Sequence, residues 1–302
     1  MYKTFLILII TAFNLFKSSA QDKPQRWLNV NYADDGKEYH NLDVHLPEIE
    51  QPAYKVVVVI YGSAWFGNNF KQAAFDVLGK PLLESGFAVV PINHRSSSDA
   101  PYPAQINDVK AAIRFLRAHA DRYRLDTSFI GITGYSSGGH LASLAGTSNF
   151  VKEFSVGKKK VDIEGSTGRY PDFSSSVNAV VDWFGPIDMA LMDACEKPKE
   201  GNSPEAALIR GNPADNLDMI ALLNPITFLD RKDPQILVIH GEADNVVPPC
   251  QSELFAKALS KRGILAGFIS VPGGQHGPIT FNENTFKKMT EFFLKESGKK
   301  NR

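Results

Sequence analysis

The sequence predicts an α/β protein with a mostly parallel central sheet flanked by helices. Short runs of β-branched and apolar residues alternate along the chain with amphipathic stretches, which is typical of strands and helices that follow one another. One strand is predicted to turn sharply into a helix at 134–138. A length of 302 residues with 43% hydrophobic content is sufficient for one sizeable core.

The predicted elements follow one another in a simple order. A hairpin is expected from Trp27 to Leu46, and strands are expected near Val56, Phe87, Phe129, Ala179, Gln235 and Ala266. The segment 103–118 is predicted to be a surface helix, because Ile106, Val109 and Ile113 lie on one apolar stripe. The stretch 186–225, rich in Asp, Asn and Pro, interrupts the alternation. We expect it to be a small cap insertion over the site, with an inert surface excursion as the alternative.

The residues around Ser136 read Gly-x-Ser-x-Gly and follow the apolar run 129–133. Such a serine sits on a strained strand-to-helix turn, where flanking glycines avoid a clash between Cβ atoms and the neighbouring backbone. The turn exposes the hydroxyl and places the N–H groups of the next helix where an oxyanion would develop. We therefore predict that Ser136 is a nucleophile.

A serine hydroxyl is a weak nucleophile at neutral pH, so it requires a histidine base and an acid that orients the histidine. With a nucleophile on this kind of turn, the acid comes next along the chain and the histidine last. Asp244 follows the penultimate predicted strand, and His276 lies in a glycine-rich loop after the last one. We predict the triad Ser136, Asp244 and His276, with Asp182 as the rival acid and His240 as the rival base.

Donors for an oxyanion are expected in the loop after the buried strand 56–60. The loop begins Tyr-Gly-Ser-Ala at 61–64, in the place where a glycine-rich segment supplies backbone N–H groups in serine hydrolases. The predicted donors are the N–H groups of Ser63, Ala64 and Ser137. An ordinary strand-to-loop turn is the alternative.

Segments along nearly all of the chain carry a resemblance to a known family. Among them are Tyr61 to Trp65, Asn93 to Arg95, Pro101 to Gln105 with Asp108, Gly134 to His140, Val181 to Pro186, Ser203 to Ala206 with Leu208 and Ile209, Asn224 to Thr227, His240 to Asp244 with Val247 and Pro248, and Pro272 to Gly277. In these segments the chain resembles α/β-hydrolase esterases of the hormone-sensitive-lipase-like group, and among them bacterial feruloyl and acetylxylan carbohydrate esterases. The resemblance implies the α/β-hydrolase fold and places the family's triad on Ser136, Asp244 and His276. The chain departs from the family where Tyr61, Ser63 and Ala64 replace a histidine and two glycines.

The resemblance also implies the activity of a serine carboxylic-ester hydrolase. The expected reaction removes acetyl or feruloyl groups from plant polysaccharides through an acyl-enzyme, without a cofactor. We expect Trp65 and Trp183 to line the substrate pocket. The alternatives are an arylformamidase-like or peptidase-like serine hydrolase, and a catalytically inactive sugar-binding relative.

Composition restricts the partners. Thirty-three basic residues balance 33 acidic ones, so the chain has no net charge with which to hold nucleic acid. No cluster with metal-ligand spacing rises above chance, and we expect no metal. The expected partner is a small-molecule or oligosaccharide ester, and the sequence favours no particular oligomeric state.

The first 20 residues have the pattern of a secretory signal peptide. A positive start precedes an apolar core from Phe5 to Phe16, and small residues precede Gln21. The core is shorter than the roughly 20 residues of a membrane span, so we expect cleavage, no stable membrane anchor and a periplasmic or secreted protein. An uncleaved anchor is the alternative. Cys195 and Cys250 would then form a disulfide or remain two free thiols.

Overall fold

The computed structural model describes residues 25–199 and 201–299, so the predicted signal peptide, residues 1–20, lies outside the described residues. The strands are β1 (Arg26–Asn31), β2 (Asn41–His45), β3 (Tyr54–Ile60), β4 (Ala88–Pro91), β5 (Leu125–Tyr135), β6 (Glu153–Val156), β7 (Lys159–Asp162), β8 (Ala179–Trp183), β9 (Gln235–Gly241) and β10 (Leu265–Val271). The helices are α1 (Lys71–Ala74), α2 (Lys80–Glu84), α3 (Ala104–Ala118), α4 (Ser137–Thr147), α5 (Pro204–Ile209), α6 (Leu217–Leu223), α7 (Pro225–Phe228), α8 (Cys250–Arg262) and α9 (Glu283–Ser297). A π-helical turn, Phe75–Gly79, joins α1 to α2.

Eight strands form one sheet in the order β1-β2-β4-β3-β5-β8-β9-β10. The pairs β1–β2 and β2–β4 are antiparallel, and the pairs from β4 to β10 are parallel. The prediction of a mostly parallel sheet flanked by helices, the α/β-hydrolase fold, is confirmed.

The helices cover both faces of this sheet. Along β3, Val56 and Val58 face a core shared with α3, α4 and α8, whereas Val57 and Val59 face a core shared with α2 and α9. Because both faces are covered, the central strands are apolar at nearly every position rather than at every second one. Because the parallel strands run in the same direction, they end at the same edge of the sheet, and the loops that follow them meet there.

The connection between α4 and β8 differs from the predicted alternation. Instead of a helix it contains the hairpin β6–β7, which pairs Glu153 with Asp162 and Val156 with Lys159. The hairpin packs against α6, and Lys158 N donates to Asp218 Oδ2 over 3.2 Å. Since α6 belongs to the segment 186–225, the hairpin supports this segment. The sequence did not predict this support.

Short helical pieces, among them α5 and α6, make up the segment 186–225. A disulfide between Cys195 and Cys250 joins it to the start of α8, and it closes a sequence separation of 55 residues. Loop closure of that length is worth about 4 kcal/mol in the chain-entropy account. The buried amide of Gln251 adds hydrogen bonds: its Oε1 accepts from Ile187 N and Asp188 N, and its Nε2 donates to Asp188 O and Leu191 O. The insertion is therefore fixed to the loop that carries Asp244.

Within the described ranges, no helix is long and apolar enough to cross a membrane.

Candidate active site

Ser136 occupies the turn between β5 and α4 with a φ of 56° and a ψ of −127°. A non-glycine residue in this region is strained, at a cost of order 1–3 kcal/mol, and such strain persists only where the surroundings enforce it. Here the N–H of Ser136 donates to Trp183 O over 2.9 Å, which fixes the turn to β8. The sharp turn expected from the sequence is present.

The two glycines of the motif are required by close approach of backbones. A Cβ on Gly134 would overlap the carbonyl group of Gly138, and a Cβ on Gly138 would overlap the carbonyl oxygens of Ile60 and Tyr61. Helix α4 can therefore begin against β3 and β5 only because these side chains are missing. This contact places the first N–H groups of α4 beside the serine.

Ser136, His276 and Asp244 form one hydrogen-bonded chain. His276 Nδ1 donates to Asp244 Oδ2 over 2.7 Å, and its Nε2 accepts from Ser136 Oγ over 2.9 Å. The histidine side chain is 19% exposed and the aspartate carboxylate is buried. In this tautomer the imidazole can accept the serine proton while the carboxylate stabilises the resulting positive charge.

Asp244 is held as a carboxylate by donors on both oxygens. Its Oδ1 accepts from Val246 N over 2.9 Å and from Val247 N over 3.0 Å. Burial by itself raises the pKa of Asp244, but the hydrogen bonds from His240, His276 and Val246 outweigh it, so the pKa lies well below its usual range. The group is therefore ionised at neutral pH.

His240 supports the acid rather than acting as the base. Its Nδ1 accepts from Ser252 Oγ over 2.6 Å, which leaves the proton on Nε2. That nitrogen donates to Val247 O over 3.0 Å and lies 3.3 Å from Asp244 Oδ2. His240 is 1% exposed, so it is inaccessible to substrate. The sequence showed a histidine at the end of a strand but not the partner that gives it this role.

The histidine loop is supported by neighbours that the sequence analysis did not single out. The ring of Phe184 lies 4.7 Å from the imidazole of His276, centroid to centroid. Ala243 N donates to Gly274 O over 2.8 Å, so the acid loop and the histidine loop are joined directly. The imidazole is thereby held between the acid and the serine.

The loop after β3 has left-handed backbone conformations at two residues that are not glycine. Ala64 and Trp65 have φ values of 49° and 59°. Of the three predicted donors, Ser63 N is already engaged, because it donates to the hydroxyl of Ser137 over 2.9 Å. Ala64 N and Ser137 N have no protein acceptor within residues 25–199 and 201–299. The structure thus leaves two of the three N–H groups open.

Trp65 and Trp183 do not line a pocket, contrary to the sequence-based expectation. They are 2% and 0% exposed. The left-handed backbone at Ala64 and Trp65 turns the Trp65 indole inward, where its Nε1 donates to His140 Nδ1 over 3.2 Å. Trp183 packs under the histidine loop against Phe281, with ring centroids 5.2 Å apart. Both indoles support the site from below.

His140 joins the loop after β3 to the insertion. It accepts from Trp65 on Nδ1 and donates from Nε2 to Leu223 O over 2.8 Å. Burial lowers the pKa of His140 to about 4, against the opposing effect of the Leu223 hydrogen bond, so the ring is neutral at physiological pH. A neutral ring is the form that can donate on one side and accept on the other.

Asp182, the rival acid, takes no part in the hydrogen-bonded chain. It is fully buried against α4, where its Oδ1 accepts from Gly185 N over 3.1 Å and its Oδ2 has no hydrogen-bond partner among the described residues. Burial raises the pKa of Asp182 to about 7, although the Gly185 hydrogen bond opposes the shift. A carboxyl that remains protonated up to neutral pH is unsuited to stabilising an imidazolium.

The fold and this geometry define a class of protein. A serine on a strand-to-helix turn, a histidine and an ionised aspartate in hydrogen-bond order, and open N–H groups at the helix start are the parts of a serine hydrolase with the α/β-hydrolase fold. Across the described ranges, no group of three or more His, Cys, Asp or Glu side chains is placed to hold a metal ion.

Comparison with known proteins identifies the family. The BD-FAE family model matches residues 42–259, more than two thirds of the chain. The chain therefore belongs to the BD-FAE family of α/β-hydrolase carbohydrate esterases.

Two solved structures are similar over nearly the whole chain. A bifunctional GH43-CE protein of Bacteroides eggerthii is 68% identical with a TM-score of 0.90, covering 90% of this chain and 35% of that one. A truncated carbohydrate esterase from gut microbiota is 54% identical with a TM-score of 0.90, covering 91% of this chain and 97% of that one. Among curated relatives, the esterase LipQ of Mycobacterium tuberculosis is 30% identical over 73% of this chain and 49% of its own length. The chain thus spans about half the length of the curated relatives it matches.

We expect Asp244→Asn to reduce ester turnover by about 10³ to 10⁴-fold, since an amide favours the wrong tautomer of His276. The matched control is Asp182→Asn, which changes a buried aspartate near the turn at Ser136. Its ester turnover should stay within about one order of magnitude of the wild type. Steady-state hydrolysis of p-nitrophenyl acetate by both variants measures the difference. A larger loss in Asp182→Asn than in Asp244→Asn would move the acid role to Asp182.

Asp182 should also make stability fall with rising pH. Burial raises its pKa from about 3.8, the ordinary value of an aspartate, to about 7. Between these two pH values the folded protein holds a proton that the unfolded chain has lost. The contribution of Asp182 to the free energy of unfolding is therefore fully present below about pH 4 and is lost as the pH rises to 7. The melting temperature of Asp182→Asn relative to the wild type should therefore increase from pH 4 to pH 8. A difference that is constant over this range would contradict the raised pKa.

Proposed function

We propose that this chain hydrolyses acetyl or feruloyl esters carried by plant polysaccharide fragments, through an acyl-enzyme on Ser136. The observation that carries the proposal is the position of His276, 2.9 Å from the serine hydroxyl and 2.7 Å from the Asp244 carboxylate. In this order the imidazole can accept the serine proton as the hydroxyl oxygen attacks an ester, and the Asp244 carboxylate can stabilise the imidazolium.

In the first half of the reaction, Ser136 Oγ attacks the ester carbonyl carbon while its proton passes to His276 Nε2. The negative charge that develops on the carbonyl oxygen is stabilised by the open N–H groups of Ala64 and Ser137. His276 then donates the proton to the alcohol oxygen, the carbon–oxygen bond breaks, and the sugar hydroxyl leaves. The acyl group remains on Ser136.

In the second half, water takes the place of the leaving alcohol. His276 removes a proton from the water as it attacks the acyl carbon, and the same N–H groups stabilise the second tetrahedral state. Collapse of this state returns the proton to Ser136 Oγ and releases the carboxylic acid. The chain supplies every group that these steps use, so the proposal includes no cofactor.

The substrate class rests on likeness and on charge. The gut-microbiota relative, 54% identical over 97% of its own length, is a carbohydrate esterase. The formal net charge of zero suits a neutral glycan better than a nucleic acid or an anionic surface. We also propose that the insertion 186–225 acts as a cap, because the disulfide and His140 fix it to the acid loop and to the loop after β3.

The experiment compares purified wild type and Ser136→Ala on a panel of substrates. Acetylated xylo-oligosaccharides and feruloylated arabino-xylo-oligosaccharides should give higher kcat/KM than long-chain triglycerides, formylkynurenine or aminoacyl amides. Ser136→Ala should lose turnover by about 10⁴-fold or more with the fold unchanged, because it deletes the attacking atom. Circular dichroism of the variant is the control for folding.

Each rival function has its own signature in this panel. Efficient cleavage of formylkynurenine or of aminoacyl amides, with no action on acylated glycans, would replace the substrate proposal and leave the triad in place. A tenth of wild-type activity in Ser136→Ala would remove the serine from the mechanism. Absence of any ester turnover in the wild type would favour an inactive sugar-binding relative.

We further propose that the protein is exported and that cleavage removes residues 1–20. The pattern of these residues and the disulfide between Cys195 and Cys250 support a destination outside the reducing cytosol. N-terminal sequencing of protein recovered from the periplasm or medium of a bacterial host should begin at Gln21. A chain that still begins at Met1 would contradict the cleavage.

A further inference from the structure

Two phenylalanine side chains on the loop after β3 are about half exposed to solvent. Phe66 is 52% exposed and Phe70 is 51% exposed, while Trp65 next to them is 2% exposed. Burial of a phenylalanine side chain stabilises a fold, so two half-exposed rings within five residues leave much of this stabilisation unused. Two exposed aromatic side chains on the loop that also carries the open N–H of Ala64 point to a binding surface on this loop.

Phe66 is coupled to the nucleophile by two backbone donors. Its N–H donates to Ser63 O over 2.9 Å, and Ser63 N in turn donates to the hydroxyl of Ser137, which follows Ser136. The loop is further fixed by Gly67 N, which donates to Ser63 Oγ over 3.1 Å. The backbone that carries Phe66 is therefore fixed to the start of α4, the helix that follows Ser136.

A groove of about 600 Å³ runs between Phe66 and the part of the insertion at 201–212. Its other side chains are small or uncharged and include Asn202, Ser203, Ala206, Ala207 and Asn212. The volume is within the range of small-molecule sites. No charged residue lines this groove within the described residues.

This lining selects among ligand classes. An anionic ligand would have no cation to meet, and a long acyl chain would find one aromatic ring opposite a wall of amide, hydroxyl and methyl groups. A pyranose has a flat C–H face that can lie on an aromatic ring and an edge of hydroxyls that amide and hydroxyl groups can bind. The chemistry of the groove thus fits a neutral sugar unit.

We propose that Phe66 and the 201–212 side of the insertion form a subsite for a neutral pyranose of the glycan that carries the scissile ester. This subsite rests on the proposed function, because it deepens the choice of substrate at the same active site. It takes the role that the sequence analysis gave to Trp65, and it moves that role one residue along the chain to the ring that the backbone turns outward.

The test compares two substrates in three variants. Phe66→Ala should lower kcat/KM on an acetylated xylo-oligosaccharide by about tenfold or more, the usual effect of one pocket contact, through a higher KM. On p-nitrophenyl acetate, which has no sugar, the same variant should lose much less activity, so the ratio of glycan to p-nitrophenyl acetate activity should fall. Phe66→Trp should retain activity on the glycan, because it keeps an aromatic face. Phe150→Ala is the matched control, since Phe150 is 76% exposed and lies in the turn after α4, at the opposite end of that helix from Ser137.

A binding arm separates failure of the subsite from failure of the proposed function. NMR titration of Ser136→Ala with unesterified xylotetraose should show saturable shifts that the double variant Ser136→Ala, Phe66→Ala loses. An unchanged ratio of glycan to p-nitrophenyl acetate activity in Phe66→Ala would overturn the subsite while the esterase proposal stands. If the wild type cleaves no glycan ester, the proposed function fails, and Phe66-dependent binding of xylotetraose then decides the subsite. Loss of a dimer in Phe66→Ala without any change in glycan turnover would overturn the subsite in favour of an interface between two copies.

Discussion

The close approach of α4 to β3 and β5 is the constraint on which the rest of the site depends. At Gly134 and Gly138 the backbones come so near that a single Cβ would overlap a carbonyl group. This contact drives Ser136 into its strained conformation, directs its hydroxyl out of the sheet, and leaves the first N–H groups of α4 open beside it. The acid and the histidine approach from β9 and β10 at the same edge, because parallel strands all end there.

A second level of organisation holds the insertion in place. Gln251 satisfies two N–H groups and two carbonyls of the insertion, and the neighbouring Cys250 is bonded to Cys195. On the other side, the neutral ring of His140 joins Trp65 to the last residue of α6. The loop after β3, the nucleophile helix and the insertion are thus connected through buried polar groups, each of which would be costly to leave unpaired.

The sequence predicted those parts of the fold that have strong local causes. Strands buried on both faces are continuous apolar runs, and the steric demand of the Ser136 turn is written in its glycines. The hairpin β6–β7 escaped prediction because each strand has only four residues, mostly exposed, with too few apolar positions to form a period. The hairpin also packs against α6, which is distant in sequence.

The candidate site divides in the same way. Chain order was sufficient to choose Ser136, Asp244 and His276, and the structure brings these three together. Trp65 was misassigned to the pocket because the left-handed conformations at Ala64 and Trp65 are not foreseeable in residues other than glycine. Trp183 was misassigned because it is the last residue of β8, a strand that is buried at every position. The support of Asp244 by His240 likewise arises from a loop that folds back on its own strand.

The residues of the triad follow strands that differ in their position in the sheet and in their burial. Ser136 follows the central strand β5, whereas His276 follows β10, a strand at the edge of the sheet whose residues are mostly partly exposed. Local opening of a folded protein begins where few contacts must be broken. On warming, the imidazole should therefore leave the serine before the sheet itself melts. Inactivation of this kind would be reversible. An acyl group already on Ser136 would stay there until β10 had refolded, because His276 would not be in place to activate water.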